Sequence, residues 1–306
     1  MRRNEQLNRV SAVEHHRARL FGIAYRMLGS VQDAEDLVQE TYLRWHDADE
    51  TAVRSPEAWL VAVVTRLSID RLRRASTERE AYVGTWLPEP IGQDERLATD
   101  RQAEIASDLS MAFLVLLERL SPDERAAFLL RDVFNADYAE IARVIERGEA
   151  AARQIVHRAR ERVRRDQPRF PVAPDARAHL LERFLDALRS DDQEHVLALM
   201  APDVRFTSDG GGKVSAARKV LGDRTRIVRM LMVMEHKYRM HWAHHVAIVN
   251  GEPAIVTTSA GEVVSTTSVQ TDCERITAFY RMLNPDKLRH VHAPACPVTR
   301  LSKPGS

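Results

Sequence analysis

Residues 120–165 constrain the fold more than any other stretch of this chain. They read LSPDERAAFLLRDVFNADYAEIARVIERGEAAARQIVHRARERVRR. Three short helical patterns follow one another with almost no loop. The first opens on Ser121-Pro122-Asp123-Glu124, where Ser121 can cap, Pro122 suits the first helical position and Glu124 can close a capping box. Its apolar residues are Ala126, Ala127, Leu130, Val133 and Phe134. Tyr138, Ile141, Ala142 and Ile145 then repeat at helical spacing, until Arg147-Gly148-Glu149 breaks the pattern. A third stripe runs through Ala152, Ile155, Val156, Ala159 and Val163.

Two short helices, a tight turn containing glycine and a basic helix make a helix-turn-helix. Opposite the third helix's apolar stripe lie Gln154, His157, Arg158 and Glu161; Arg153, Arg160 and Arg164 lie on one flank. Such a helix fits a major groove, with side chains on base edges and flanking arginines on phosphates. The competing reading is a solvated basic helix in an ordinary bundle. Net charge does not decide between them. At +1 over 306 residues the chain is no polycation, so any nucleic-acid contact must come from local patches.

The N-terminal block, residues 11–75, holds three more helical patterns. The first runs from His15 to Leu28 through Leu20, Ala24, Met27 and Leu28. The second runs from Asp33 to Asp47 through Ala34, Leu37, Val38, Thr41 and Trp45. Its other side is acidic, with Asp33, Glu35, Asp36, Gln39 and Glu40, which by composition alone is a solvated face. The third starts at Ser55-Pro56-Glu57 and runs through Leu60, Val63, Val64 and Leu67. It is expected to end in Asp70-Arg71-Leu72-Arg73-Arg74, where arginines complement a helix dipole or hold phosphates.

DAEDLVQETYLRW, then SPEAWLVAVVTRLSIDRLRR, then the helix-turn-helix resemble regions 2 and 4 of bacterial sigma factors of the extracytoplasmic-function type. The resemblance covers residues 11–165, in order and spacing. It implies that Asp36, Gln39 and Glu40 dock on the β′ clamp of core RNA polymerase, with the β flap as a further contact. It implies that Trp59, Arg66, Asp70, Arg71, Arg73 and Arg74 engage the promoter −10 element. It gives the −35 element to Arg153, Gln154, His157, Arg158, Arg160 and Arg164. Stacking and phosphate contacts suit unpaired bases, so aromatic and arginine side chains are fitting types. One departure is Gly148 before Glu149, where this family usually has Thr or Ser; glycine is the weaker cap.

Residues 76–107 read as a polar linker with Gly84, Pro88, Pro90 and Gly92 as breakers. Inside it, Tyr82-Val83-Gly84-Thr85-Trp86-Leu87-Pro88-Glu89-Pro90 is too apolar for a merely flexible tether. After region 4 (residues 108–166), a Pro-rich hinge at 167–174 separates a final block, 175–294. Helices are expected at Arg177–Arg189, Gln193–Met200 and Leu221–Glu235. Strands are expected at Val204–Thr207, His245–Val249, Ala254–Thr258 and Arg275–Leu283, with Asn250-Gly251 as a hairpin turn. Helices followed by strands argue α+β. The block resembles the SnoaL-like branch of the NTF2-like fold, a sheet and helices forming a cone with a pocket. WLPEP, DGGGK (Asp209–Lys213) and NPDKL (Asn284–Leu288) are motifs of the sigma subgroup carrying this extension. There the resemblance implies regulation in cis, so Trp86, Leu87, Pro88, Asp209, Gly210, Gly211, Gly212, Lys213, Asn284, Pro285, Asp286, Lys287 and Leu288 are expected as regulatory contacts between domains.

The expected architecture is therefore multidomain: two all-α sigma domains, then an α+β SnoaL-like cone. The expected partners are core polymerase and promoter DNA, with the cone as a place for a small molecule. No cofactor, metal or catalytic residue is expected. Asp209 beside three glycines is read as a turn residue rather than a general base with His236, His241 or His245 as the acid. His241, His244 and His245 have a spacing a helix could use for metal, but fold analogy cannot raise that reading. Cys273 is read as an inert thiol. No apolar run is long enough to span a bilayer and the N-terminus has no signal-type h-region, so a cytoplasmic protein is expected. The alternative is an NTF2-like enzyme or ligand-binding domain fused to a DNA-binding regulator.

Overall fold

Capped helices fill the first half of the computed structural model, which describes residues 2–49, 53, 55–92, 109–166, 172–272 and 274–293. The chain divides into two compact units. One comprises residues 1–81 and 96–167, the other residues 82–95 and 168–306.

The first unit is all-α. α1 (Arg2–Leu28), α2 (Val31–Asp47) and α3 (Pro56–Glu80) pack together, burying Leu20, Ala24, Met27, Leu28, Ala34, Leu37, Val38, Trp45, Leu60, Val64 and Leu67. Ser30 and Ser55 cap α2 and α3 through their hydroxyls, and Pro56 opens α3 as a first-turn proline should. α3 does not stop at the arginine cluster. It continues to Glu80, because Ala75 to Glu80 contains no helix breaker.

Then come α4 (Met111–Leu117), α5 (Pro122–Phe128), α6 (Tyr138–Val144) and α7 (Glu149–Asp166). The Ser121/Glu124 capping box is formed. α5 runs on through a π-helical turn, Leu129–Val133, which periodicity did not foretell. Ala152, Ile155, Val156, Ala159 and Val163 are buried along α7. Glu124 does two jobs: it closes its cap, and it takes a hydrogen bond of 2.7 Å from Arg162. That fixes α7 against α5.

The second unit is α+β. α8 (Pro174–Arg189), α9 (Gln193–Ala198) and α10 (Arg224–Tyr238) pack with a five-stranded sheet ordered β1-β5-β4-β3-β2. The strands are β1 (Met200–Asp209), β2 (Trp242–Val249), β3 (Glu252–Ser259), β4 (Glu262–Thr271) and β5 (Ile276–Met282). β1 pairs parallel with β5; the other pairings are antiparallel. Met200 belongs to β1 rather than the preceding helix. α10 starts at Arg224, since Leu221 instead pairs with Phe206 by two backbone bonds. Asn250 and Gly251, both at positive φ, form the β2–β3 turn. β4, rich in Ser and Thr, had no counterpart in the sequence reading. The core joins Phe184, Leu185, Phe206, Leu231, Ile255 and Phe279. No helix among the described residues is long and apolar enough to cross a membrane.

Candidate functional site

On α2, Asp36 and Gln39 are exposed and Glu40 is half-buried, paired with Arg44 at 2.6 Å one turn on. The apolar face of α2 is spent on α1 and α3, so the acidic side is left outward. Asp33, on the same side, is engaged by Arg71 at 3.0 Å.

The arginines of α3 are distributed differently from a free patch. Arg66 donates to the carbonyls of Arg143 (2.7 Å) and Val144 (3.4 Å) at the end of α6. A cation there suits the negative end of a helix. Arg73 pairs with Asp123 at 2.9 Å and with Asp70 at 3.5 Å. Arg74 is exposed, and Trp59 lies half-buried against Trp45 with ring centroids 5.2 Å apart. Thus Arg66 and Arg73 contact the helix-turn-helix block in this conformation. A second bridge was not anticipated. Glu118, at the end of α4, pairs with Arg79 of α3 and with Arg125 of α5, the latter at 2.7 Å. Arg125 is 2% exposed and also donates to the Met27 carbonyl of α1 at 2.6 Å. Burial pulls the Arg79 pKa down, opposed by the Glu118 charge.

Along α7, Gln154, His157, Arg158, Glu161 and Arg164 are exposed. Arg153 pairs with Glu149 at 2.5 Å and lies over the Tyr138 ring. Arg160 makes a two-pronged pair with Asp132 on the π turn, which raises its pKa. The helix therefore offers Gln154, His157 and Arg158 outward, with Arg153, Arg160 and Arg162 oriented by neighbours and Arg158 itself 3.9 Å from Glu124.

The densest polar cluster lies in the second unit. Asp209, at the end of β1, is fully buried. Its Oδ1 accepts from the Tyr82 hydroxyl (2.6 Å) and the Gly211 N–H (3.0 Å). Its Oδ2 accepts from the Leu87 N–H (2.9 Å) and the Lys287 ammonium (2.8 Å). Lys287 also donates to the Leu87 carbonyl at 2.7 Å and sits 4.1 Å from the Trp86 ring centroid. Asn284 donates to the Tyr82 hydroxyl at 2.9 Å. Desolvation first, and the Asp209 bond second, push the Tyr82 pKa far up. So residues 82–88 dock on the DGGGK and NPDKL segments, tying the three motifs into one network. Farther on, Ile91 exchanges two bonds with Asn250 in the hairpin turn. Reading Asp209 as a mere turn residue is corrected: it is the acceptor on which three segments converge. The glycines follow from that closeness. A Cβ on Gly210 would strike the Val214 carbonyl, and one on Gly211, whose φ is +59, would strike the Asn284 amide. Lys213 closes the edge by pairing with Asp286, whose pKa this bond lowers. Pro88 is the next residue along the docked segment.

The helix-compatible spacing of His241, His244 and His245 does not fall on a helix. His244 and His245 lie on β2, where neighbours point to opposite faces. His236 and His241 are exposed. His244 instead faces inward, bonded to Glu235. Cys273 lies outside the described residues.

The chain matches the Sigma-70 region 2 model over residues 12–78 and the Sigma-70, region 4 model over residues 110–163. It is 39% identical over 292 residues to the ECF RNA polymerase sigma factor SigJ of Mycobacterium tuberculosis, covering 91% of this chain and 92% of that one. It is 27% identical to the probable ECF RNA polymerase sigma factor SigI of the same organism, covering 91% and 94%. The crystal structure of the M. tuberculosis extracytoplasmic function sigma factor SigJ superposes with a TM-score of 0.75 at 36% identity, covering 92% of this chain and 99% of that one.

Proposed function

The chain belongs to the ECF RNA polymerase sigma factors and directs promoter-specific transcription initiation, and on that premise we propose how its surfaces divide the work. Asp36, Gln39 and Glu40 on α2 bind the polymerase β′ clamp, with the β flap as a second contact. Trp59, Arg66, Asp70, Arg71, Arg73 and Arg74 on α3 take the −10 element. Arg153, Gln154, His157, Arg158, Arg160 and Arg164 on α7 take the −35 element. The C-terminal unit regulates these activities by holding the linker through Trp86, Leu87, Pro88, Asp209–Lys213 and Asn284–Leu288.

The observation that carries the regulatory part is the four-donor network on buried Asp209. α3 ends at Glu80 and α4 begins at Met111, so the docked residues 82–92 belong to the tether between the two promoter-reading regions. At about 3.3–3.6 Å per residue, releasing them would lengthen that tether's reach by up to roughly 35 Å. Docked, these residues add no free length to the tether. Run-off transcription with core polymerase tests this. The wild type and a variant with the network broken should differ in output; equal output from both, with the linker demonstrably released in the variant, would reject regulation by tether length.

Two further outcomes test the surfaces. Asp36→Arg combined with Glu40→Arg should abolish holoenzyme assembly in a native-gel or pull-down assay while circular dichroism stays unchanged, since Asp36 is exposed and Glu40 makes only an exposed i,i+4 pair worth a few tenths of a kcal/mol. Wild-type affinity in the double variant would reject the docking surface. On α7, Arg158→Ala should cost about 1–3 kcal/mol at one base position and flatten preference there. Arg164→Ala should weaken all promoters alike. A binding screen over single-base −35 variants distinguishes them, and unchanged selectivity in Arg158→Ala would remove that residue from base reading.

A further inference from the structure

The second unit contains a cavity unrelated to the linker network. Its walls come from the inward faces of the strands, as period-two alternation dictates. Trp242 and His244 face it from β2, Ile255 and Thr257 from β3, Thr267 from β4, Phe279 and Arg281 from β5; Phe184, Leu231 and Glu235 close it from the helices. The register lines these up across the sheet: Arg281 beside Thr267 beside Ile255, and Ser265 beside Thr257 beside His244. The space measures about 40 Å³. One water needs about 10–15 Å³ by this measure, so it holds three or four heavy atoms.

Arg281 is the unusual wall. It is 6% exposed and lies over the Trp242 ring at 5.3 Å. Its Nη2 donates to Ser265 at 3.3 Å, but its Nε–H has no hydrogen-bond partner, and no carboxylate is paired with it among the described residues. Burial pushes its pKa down to about 10, partly offset by the charge of Glu235. A guanidinium remains charged there, and a buried donor left unmade is costly. Glu235 meanwhile is held by His244, Nε2 to Oε2 at 2.9 Å, and both side chains are about one-tenth exposed, 11% and 12%. His244 Nδ1 lies 3.0 Å from the Thr257 hydroxyl. That hydroxyl can donate to a neutral ring or accept from a protonated one.

We propose that this cavity is a binding site for a small organic monocarboxylate of about acetate size, which Arg281 receives through its free Nε–H, and that binding is coupled to uptake of one proton by His244. The carboxylate supplies the missing acceptor, and its short apolar end meets Leu231, Ile255 and Phe279. Charge explains the proton. With neutral His244 the cavity holds one cation, Arg281, and one anion, Glu235, so an added carboxylate leaves an excess negative charge. Protonated His244 cancels it. The charged groups facing His244 are Glu235 from α10, Arg281 from β5 and Arg189, whose guanidinium donates to the His244 carbonyl from α8. Desolvation lowers the His244 pKa in the empty site, against the opposing pull of Glu235. Carboxylate binding raises it. Affinity must therefore rise as pH falls, levelling only below the empty-site pKa.

The test uses the full chain with sodium acetate as probe and acetamide as its neutral isostere, at matched ionic strength. The Arg281 Nε–Hε signal, assigned by its loss in Arg281→Met, is followed by NMR. Acetate should shift it saturably with a dissociation constant of ~1 mM, and acetamide should not. Above about pH 6.5, His244's ordinary value, the affinity should fall as pH rises, by at most the tenfold per pH unit of one linked proton. His244→Gln should remove that slope and keep binding. Arg281→Met should abolish the acetate-dependent rise in melting temperature. If Arg281→Met fails to fold, the wild-type titration alone still decides, with ¹⁵N-arginine selective labelling for assignment. No saturable shift at ~100 mM acetate, or an equal response to acetamide, overturns the site. A slope unchanged in His244→Gln overturns the proton coupling.

Discussion

Asp209→Asn should release residues 82–92 from the C-terminal unit and destabilise that unit by roughly 3–5 kcal/mol, the usual consequence of removing one partner from a buried ion pair. Asparagine has the same shape but the wrong valency. Both Asp209 oxygens accept two hydrogen bonds from donors, Tyr82 and Gly211 on one side, Leu87 and Lys287 on the other. An amide in either orientation turns its NH₂ toward two of these donors. Lys287, 8% exposed in its side chain, then keeps a buried ammonium with no carboxylate from Asp209. Tyr82→Phe removes one neutral donor to Asp209 and the acceptor of Asn284 but leaves the ion pair, and should cost about 1–3 kcal/mol. Adding Lys287→Met to Asp209→Asn should recover part of the loss, because the uncompensated charge goes with it. Hydrogen exchange at the Leu87 and Ile91 amides, and protease cutting within 82–92, report the docking directly. Wild-type protection at Leu87 in Asp209→Asn would show that the carboxylate does not hold the linker.

What could be read in advance follows the range of the interactions. The stripes of α2 and α7 and the Ser121/Glu124 capping box depend on residues three or four apart, and these were legible. So was the Asn250-Gly251 turn, whose positive φ values restrict its residues to a few types. Asp209 was legible as a turn residue, as its bond from the Gly211 N–H shows, but not as a buried acceptor, because its burial depends on Lys287, 78 positions away. Glu118 looked like any exposed glutamate at a helix end, since Arg79 is 39 residues off. β4 escaped because Ser265, Thr266, Thr267 and Ser268 interrupt any apolar alternation, although its Val and Thr residues are strand formers. Yet it is paired on both edges, and Ser265, Thr266, Thr267 and Ser268 are all buried. Arg281 did leave a trace: one charge among Phe279, Met282 and Leu283 in an otherwise apolar strand. A buried guanidinium there requires either a partner or a ligand, and its pairing could not be inferred without the register of β4.

The region 2 and region 4 blocks should part when Glu118 is replaced by Ala. Several pairs join these blocks, and exposure ranks them. Arg73–Asp123 involves a 56% exposed arginine, so it is worth 0–1 kcal/mol and salt weakens it. Glu118 is 19% exposed and holds Arg79 and Arg125, which are 23% and 2% exposed. Without it two shielded guanidiniums lose the carboxylate they share, although Arg79 keeps the Leu28 carbonyl at 2.8 Å and the more distant charge of Asp33. That costs about 3–5 kcal/mol, enough to move a packed–open equilibrium by two to three orders of magnitude. Arg66 and Arg73 would then leave the α6 carbonyls and Asp123 and become available to phosphates. The expected result is a larger radius of gyration, a longer distance between labels on α3 and α7, and tighter binding of −10 single strands with a steeper salt dependence. Glu118→Gln keeps acceptor capacity without charge and should fall between wild type and Glu118→Ala. An Ala variant with the wild-type label distance and unchanged −10 affinity would mean that the apolar packing of α1, α3 and α5 holds the blocks together by itself, and that the buried bridge only orients Arg79 and Arg125.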